Sequence, residues 1–163
     1  MLDKEEFCSL IKLYEKSMYN LACSIVRNEH DAADIMSESV LRAYSNIDKL
    51  KNKDAFRAWI LRIVHNTAAE YIRKNCRIVY LDEVNEEKEN IREFDLSTEL
   101  TLRKAVDSLS QKYREAVVLF YYEDFTTKEI ATIIGKSEPA VRQLLARGRK
   151  QLKEILKEDF YNG

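Results

Sequence analysis

Glycine and proline are scarce in this chain, which has three glycines and one proline among 163 residues. Both residues interrupt helices, so their scarcity favours long helices over a turn-rich β fold. Alternating runs of β-branched and aromatic residues are equally rare, and the run at residues 117–122 lies inside a helical pattern. The composition therefore predicts an all-α protein.

Cysteine and histidine are also few, and their spacing is not that of a metal site. Cys8, Cys23 and Cys76 are odd in number and are expected to be reduced and packed within helices. His30 and His65 stand alone in the sequence. The chain has neither a nucleophile–base constellation nor a glycine-rich phosphate loop. We therefore expect no enzymatic activity, no metal, no cofactor and no small-molecule substrate.

Long hydrophobic runs are missing as well. No apolar stretch approaches the roughly 20 residues needed to span a bilayer, and no signal peptide precedes Phe7. The expected location is the cytoplasm.

The charge of the chain is nearly balanced overall but unevenly distributed. The formal net charge is −1, yet residues 82–99 hold eight acidic residues against two basic ones, and residues 128–157 hold eight basic residues against three acidic ones. The acidic run breaks the helical periodicity and predicts a weakly ordered linker. The alternative interpretation is that the acidic run adds helical turns to a flanking domain. With a linker at 79–97, the chain divides into two small helical domains at 1–78 and 98–161.

The basic segment has the signals of a helix-turn-helix. Thr126 and Glu129 form a capping-box pattern at the start of a short helix, and Gly135 suits the left-handed position that ends it. Ser137 can cap the next helix, with Pro139 in its first turn. A short helix, a tight turn and a longer helix is the geometry that places a recognition helix in the major groove of DNA.

The second of these helices is predicted to present a basic surface. Val141, Leu145, Gly148 and Leu152 fall on one side of it, and no acidic residue lies between Pro139 and residue 153. An amphipathic helix solvated within a bundle is the alternative, but such a face usually alternates in charge sign. The pattern favours a surface that faces DNA phosphates.

The first half contains three amphipathic segments. Residues 3–27 predict a long helix, residues 31–44 a second helix capped by Asp31, and residues 56–74 a third. The second helix also carries a charged ridge on a face other than its apolar one. The members of the ridge share that face because they are spaced i, i+4 and i+8. The ridge consists of Asp34, Glu38 and Arg42.

Three of these segments, in this order, resemble one known family. DAADIMSESVLRAY at 31–44 is similar to region 2.2, and FRAWILRIVHNTAAEYIRK at 56–74 to regions 2.3 and 2.4, of the extracytoplasmic-function (ECF) sigma factors of bacterial RNA polymerase. Residues 106–152 are similar to region 4. The chain is thereby identified as a member of this sigma-70 group, similar to its sigma-V-like branch. The resemblance implies a region 2 bundle and a region 4 helix-turn-helix joined by the acidic linker.

The resemblance also implies a function and partners. An ECF sigma factor binds core RNA polymerase through the β′ clamp and the β flap, recognises −35 and −10 promoter elements, and directs transcription initiation of a stress regulon. Most members are held by an anti-sigma factor, which in many cases is anchored in the membrane and would keep the protein at its inner face. Two alternatives remain at this point: a stand-alone helix-turn-helix regulator, and a helical protein-binding module such as an anti-sigma or adaptor protein.

For region 2, the resemblance assigns residues to polymerase and to the −10 element. A flipped −10 base must regain stacking and hydrogen bonds in the pocket that receives it. The residues assigned to the polymerase clamp are Asp31, Asp34, Glu38 and Arg42, for which a capping or solvated helix face is the alternative. Those assigned to −10 DNA are Lys51, Asn52, Lys53 and Asn66, with Arg62, Arg73 and Lys74 on its phosphates.

For region 4, the candidates divide by chemistry, since Arg pairs with guanine and Gln with adenine through two hydrogen bonds. The base-edge candidates are Arg142, Gln143 and Arg147, and the phosphate candidates are Thr127, Lys128, Arg149 and Lys150. The chain departs from the family pattern at five positions: Ser110, whose hydroxyl is expected to keep a helix cap, Ala140, Gln143, Leu144 and Gly148. Gly148 is expected to loosen its helix by roughly 1 kcal/mol.

Overall fold

The computed structural model describes the backbone of residues 2–79 and 98–162 and the side chains of residues 2–75 and 101–158. Within these ranges every regular element is helical, which confirms the predicted all-α class. Apart from residue 79, the predicted linker lies outside the described residues, as does the side chain of Cys76. The helices are α1 (Lys4–Val26), α2 (Glu29–Ser45), α3 (Phe56–Val79), α4 (Thr98–Asp107), α5 (Gln111–Val117), α6 (Thr127–Ile134) and α7 (Glu138–Asn162).

Local capping fixes the ends of the first two helices. Asp3 and Glu6 form a capping box at the start of α1, and Arg27 closes it in the left-handed conformation. The start of α2 differs from the prediction, because Asn28 and not Asp31 is its N-cap. The Asn28 side chain accepts the Asp31 N–H at 3.0 Å, so the helix begins two residues before Asp31.

The first half is a three-helix bundle of α1, α2 and α3. Met18, Leu21, Ile35 and Ile60 are almost completely buried in it. Phe56 is the aromatic centre of the bundle: its ring lies 6.1 Å from that of Phe7, 6.0 Å from that of Tyr14 and 5.7 Å from that of Trp59. The amphipathic spacing of the sequence located this core correctly, because residues three or four apart on each helix, such as Met18, Leu21, Ala22 and Ile25 of α1, are the buried ones.

In the second half, the helix-turn-helix forms as predicted. Thr126 and Glu129 complete a capping box at the start of α6, and Gly135 ends that helix with a φ of 71°. The Ser137 hydroxyl accepts the Ala140 N–H at 3.2 Å at the start of α7. Before α6, α5 continues into a π-helical segment, Val118–Tyr122.

One prediction about this half is wrong, and a second residue has a packing role that the sequence did not predict. Ser110 occupies the N-cap of α5, but its hydroxyl makes no capping hydrogen bond, and its N–H donates to Oε1 of Gln151 at 3.2 Å. Gly148 permits a close approach of α7 to α5, since a Cβ there would lie 3.1 Å from Cγ2 of Val117 and 3.4 Å from Cβ of Tyr113. Gly148 therefore allows α7 to pack closely on α5, and its effect on helix stability stays a prediction.

The two halves pack against each other. Helix α3 lies on α6, and α1 lies on α5 and on the π-helical segment. The buried apolar side chains of both halves form one continuous cluster. Each half alone is small for an independent core, and this shared burial adds to both.

Candidate nucleic-acid and polymerase interfaces

The basic surface of α7 is open to solvent. The five residues of this basic surface are all exposed: Arg142, Gln143, Arg147, Arg149 and Lys150. Arg142 pairs with Glu138 at 3.1 Å, and Nη1 of Arg149 donates to the Tyr121 hydroxyl at 3.0 Å. Both contacts involve exposed groups, so they cost little to exchange for phosphate or base contacts.

The start of α6 offers a different kind of contact. Lys128 is exposed, but the Thr127 hydroxyl donates to Oε2 of Glu138 at 2.7 Å and so ties α6 to α7. Thr127 is the first residue of α6, where backbone N–H groups have no partner within the helix. A phosphate at this point would be bound by the backbone of Thr127 rather than by its side chain.

The charged ridge of α2 consists of two exposed residues, Asp34 and Glu38, and of Arg42, which is hydrogen-bonded to α3. Arg42 forms a two-pronged pair with Glu70 on α3, at 2.7 and 3.2 Å, and donates to Glu38 at 3.0 Å. Hydrogen bonding by Arg42 lowers the pKa of the Glu70 carboxyl. Arg42 therefore holds α2 against α3.

Asp31, the fourth residue assigned to the polymerase, also supports the bundle. Its carboxylate accepts a hydrogen bond from the Tyr71 hydroxyl of α3, and this contact raises the pKa of Tyr71. Of the four residues, only Asp34 and Glu38 are thus presented outward.

Sequence reasoning missed the apolar part of this surface. Leu41 is 65% exposed and Tyr44 is 50% exposed. Leu41 follows Asp34 by seven residues and Glu38 by three, so all three share one face of α2. The signal was an apolar residue off the core stripe, and exposed apolar groups next to charged ones are typical of protein-binding surfaces.

The loop between α2 and α3 is exposed but internally ordered. The Asn52 side chain accepts the Asp54 N–H at 2.9 Å, and Lys53 pairs with Glu6 of α1 at 2.6 Å. Hydrogen bonding to Lys53 lowers the pKa of Glu6. Lys51 is exposed, as are Asn66, Arg73 and Lys74 on α3.

Arg62 is placed differently from the other residues assigned to −10 DNA. Its guanidinium donates to the backbone carbonyl of Thr132 in α6. One of the three residues expected to contact −10 DNA phosphates is thus bound to the helix-turn-helix of the second half.

A set of polar and charged groups joins the two halves around the buried Glu123. The Glu123 carboxylate accepts hydrogen bonds from Ser17 at 2.6 Å and from Asn20 at 3.2 Å, both on α1. Arg57 of α3 donates to the Glu123 carbonyl at 2.5 Å and to its carboxylate at 3.4 Å, with its guanidinium 4.1 Å from the centre of the Phe125 ring. Glu123 is only 7% exposed, so these partners replace the water that it loses.

Two further buried groups of α5 contact the first half. His65, predicted to stand alone, pairs with Glu115. Arg114 donates to the carbonyl of Ser24 in α1 and, at 2.7 Å, to that of Leu109. Burial lowers the pKa of Arg114 to about 10, which leaves it charged at neutral pH.

Within the described residues, no group of His, Cys, Asp and Glu side chains is arranged to hold a metal ion. Nor does any helix there have the length and apolar character needed to cross a membrane.

Two family models match the chain, and they fall on its two halves. The sigma-70 region 2 model matches residues 10–78, and the model for sigma-70, region 4 matches residues 99–152. These matches define the class as the sigma factors of the sigma-70 family.

Individual relatives show to which group of sigma-70 family sigma factors the chain belongs. RNA polymerase sigma factor SigV of Bacillus subtilis is 31% identical over 148 residues, which cover 90% of this chain and 89% of SigV. ECF RNA polymerase sigma factor SigW of the same organism is 29% identical over 171 residues, covering 96% and 91%. The chain belongs to the ECF sigma factors.

Solved structures agree with this fold. The sigma factor RpoE, in complex with the anti-sigma factor NepR from Bartonella quintana, superposes with a TM-score of 0.81 at 25% identity, over 95% of this chain and 99% of RpoE. CnrH, in complex with the cytosolic domain of CnrY, gives a TM-score of 0.70 at 21% identity, over 96% and 91%, and supports the fold alone.

The family settles the function at the level of the whole protein. The chain is an alternative sigma factor: a transcription initiation factor that binds core RNA polymerase and recognises −35 and −10 promoter elements. A stand-alone helix-turn-helix regulator would not account for the region 2 match, and an anti-sigma or adaptor protein would not account for either match.

Proposed function

We propose that the residues described above divide the work of promoter-specific initiation between three surfaces. The face of α2 with Asp34, Glu38 and Leu41 docks on the β′ clamp, the loop before α3 captures a −10 base, and α7 contacts the −35 duplex. The observation that carries this proposal is that an acidic, partly apolar face and a basic helix are both exposed on one chain.

On the −35 element, side-chain chemistry supports a division of roles. Arg142, Gln143 and Arg147 contact base edges, because guanidinium and amide groups form paired hydrogen bonds with guanine and adenine. Arg149 and Lys150 contact phosphates, together with Lys128 and the backbone N–H of Thr127. A β-flap contact of the second half would place α7 at the right distance from the −10 element.

On the −10 element, Lys51, Asn52 and Lys53 hold an extruded base, together with Asn66 of α3. Arg62, Arg73 and Lys74 contact the phosphates of the strand. Lys53 would then leave Glu6, and Arg62 would leave the Thr132 carbonyl. Both present partners are at exposed positions, so the exchange is inexpensive.

On the polymerase, Asp34 and Glu38 make the charged contacts and Leu41 the apolar one. Asp31 and Arg42 act indirectly, by fixing α2 on α3 through Tyr71 and Glu70. Effective concentration explains why both promoter elements are needed. Each half makes few DNA contacts, and the polymerase raises affinity by holding units 1–78 and 98–161 at the spacing that the 79–97 linker permits.

A solved relative supports the proposal of a protein partner. Because RpoE is solved with the anti-sigma factor NepR, we propose an anti-sigma factor as a partner of this chain, together with the cytoplasmic location expected from the sequence. The predicted anchoring of that partner in the membrane would hold the chain at the inner face. In this role the chain needs no cofactor and catalyses no reaction of its own.

Transcription in vitro tests the proposal. Core RNA polymerase, the purified chain and a pool of random promoters should give transcripts from a subset that shares −35 and −10 sequences, with a bubble that permanganate detects. Core polymerase alone is the control. Transcripts that show no shared −10 sequence would contradict the strand-capture role, even if −35 selection persists.

A further inference from the structure

Glu138 is the acidic residue nearest along α7 to the basic surface of that helix. It is the first residue of α7, and the next acid along the chain is Glu154. Glu138 precedes Arg142 by four residues, so the two side chains share a face of α7. A carboxylate beside a surface that faces DNA lowers the affinity for every promoter, because it repels the phosphates. A gain in selectivity would offset this loss of affinity.

A single carboxylate oxygen of Glu138 makes two contacts. Its Oε2 accepts a hydrogen bond from the Thr127 hydroxyl at 2.7 Å and lies 3.1 Å from Nη1 of Arg142. Thr127 belongs to α6 and is β-branched, so its side chain has few rotamers. The carboxylate is therefore held from α6, and it restricts in turn the guanidinium of Arg142 on α7.

The ion pair occupies one end of the Arg142 guanidinium. Since Nη1 faces Glu138, the edge formed by Nε and Nη2 remains as a parallel pair of donors. Guanine presents a matching pair of acceptors, O6 and N7, in the major groove. The Arg142 side chain is 57% exposed. Arg142 can therefore contact a guanine through its second edge while the ion pair with Glu138 persists.

A restricted guanidinium improves selectivity for a physical reason. An unrestrained arginine on an exposed helix samples many rotamers, and ordering it on binding lowers affinity. The same freedom lets it turn toward a phosphate, which carries no sequence information. An arginine that is already held at one angle pairs with guanine at less entropic cost and is less able to turn to other acceptors.

We propose that Glu138 is a positioning residue for recognition of the −35 element, which holds Arg142 at the angle that selects a guanine. This inference rests on the proposed base contact of Arg142 and deepens it. A carboxylate that only joined α6 to α7, or only favoured the start of α7 through the helix dipole, would affect stability and not base preference.

Variants of the full-length chain, each assembled with core RNA polymerase, test this role. Glu138→Ala removes both contacts, and Glu138→Asp keeps the charge but shortens the reach to Arg142. Glu138→Gln removes the charge and keeps both contacts, because one oxygen makes them and the amide retains one oxygen. Arg142→Ala, alone and combined with Glu138→Ala, completes a double-mutant cycle. Glu154→Ala, the same substitution at an exposed position further along α7, is the matched control.

A promoter library randomised at the −35 positions measures base preference. R142A should lose the preference for guanine at one position. E138A should lose roughly three- to tenfold of that preference at the same position, and the double variant should lose no more than R142A, since contacting residues are not additive. E138D should lose part of it, E138Q should keep more of it than E138A, and E154A should keep all of it. Promoters without the guanine should bind E138A and E138Q more tightly, because a repulsive charge is gone.

Two outcomes would overturn the positioning role and leave the base contact of Arg142 in place. One is an unchanged preference in E138A beside a lost preference in R142A. The other is an additive loss in the double variant, which would show that Glu138 acts independently of Arg142.

Failure of the proposed function gives a different result. If R142A itself keeps the −35 preference, the base contact of Arg142 is wrong, and the positioning role fails with it. Circular dichroism melting reports whether each chain is folded. Should E138A be unfolded at the assay temperature, E138D decides by the same criteria, because it keeps an acid in the first turn of α7.

Discussion

The two predicted DNA-binding surfaces differ in how far the rest of the chain covers them. The basic surface of α7 is exposed over its whole candidate set, whereas α3 has Arg62 bound to α6 and a second face buried under the other half. Duplex recognition needs only an exposed helix of the right charge, but strand capture exposes stacking groups and cations that would bind stray nucleic acid. The difference teaches that α3 combines packing contacts on one side with exposed candidates such as Asn66, Arg73 and Lys74 on another, whereas α7 keeps its whole candidate set exposed.

The largest expected effect concerns the exposed face of α2. Reversing Asp34 and Glu38 together to Lys should abolish holoenzyme formation, because the polymerase contact would become repulsive. Size-exclusion chromatography with core polymerase measures this. Both side chains are exposed, so stability should change by no more than about 0.5 kcal/mol at Asp34. At Glu38 the loss should reach at most about 1 kcal/mol, because Lys would replace an i,i+4 pair with Arg42 by a repulsion.

Reversal of Glu5 and Glu15 to Lys, two exposed acids on α1, is the matched control for docking. A large drop in the melting temperature of the α2 variant would instead indicate that Asp34 and Glu38 have a structural role.

The next effect tests whether the two halves are one folding unit. Phe56→Ala empties the aromatic centre of the first half and should lower the free energy of unfolding by about 3–5 kcal/mol. Because the buried clusters are continuous, hydrogen exchange should accelerate in α5 and α6 as well as in α1.

Leu119→Ala, at a fully buried position of the second half, is the reciprocal variant. Faster exchange confined to the half that carries the substitution would show that the two halves fold independently.

A smaller effect is expected at the loop before α3. Replacing Lys51, Asn52 and Lys53 together with Ala should remove the −10 base preference, since a flipped base costs a few kcal/mol that the loop no longer repays. Permanganate footprinting should then show no bubble, while binding to core polymerase and to −35 duplex persists.

Lys16→Ala combined with Lys49→Ala, two exposed lysines outside the loop, controls for the loss of two positive charges. If the triple variant opens promoters normally with unchanged −10 specificity, the loop does not bind the extruded base and another part of the chain does.

The smallest effect separates base contacts from phosphate contacts on α7. Arg147→Ala should cost about 1–3 kcal/mol of discrimination at one or two −35 positions. Lys150→Ala should weaken all promoters alike and make the salt dependence of binding shallower. A promoter library assayed at several salt concentrations distinguishes the two variants. An unchanged −35 preference in Arg147→Ala would show that Arg147 does not contact a base.

Most of the local structure was predictable from the sequence because its causes are local. The Thr126 capping box, the left-handed Gly135 and the Ser137 cap each depend on residues within one helical turn of each other. The start of α2 was misplaced because Asn28 and Asp31 are both good caps, and only the geometry shows which one accepts the N–H. Gly148 was interpreted from helix propensity, whereas its neighbours Val117 and Tyr113 come from another helix.

By itself, the sequence determined the helices, the apolar stripes, the helix-turn-helix and the family, since these depend on periodicity, capping and motif order. Tertiary structure alone decided that Arg57, His65 and Arg62 meet the second half, that Glu123 is buried among Ser17, Asn20 and Arg57, and that Arg42 and Asp31 support the bundle rather than face outward. The physical reason is distance along the chain. Ionisable groups separated by 50 residues, as in the contact of His65 with Glu115, are brought together by packing, and no spacing rule within a single helix specifies that contact.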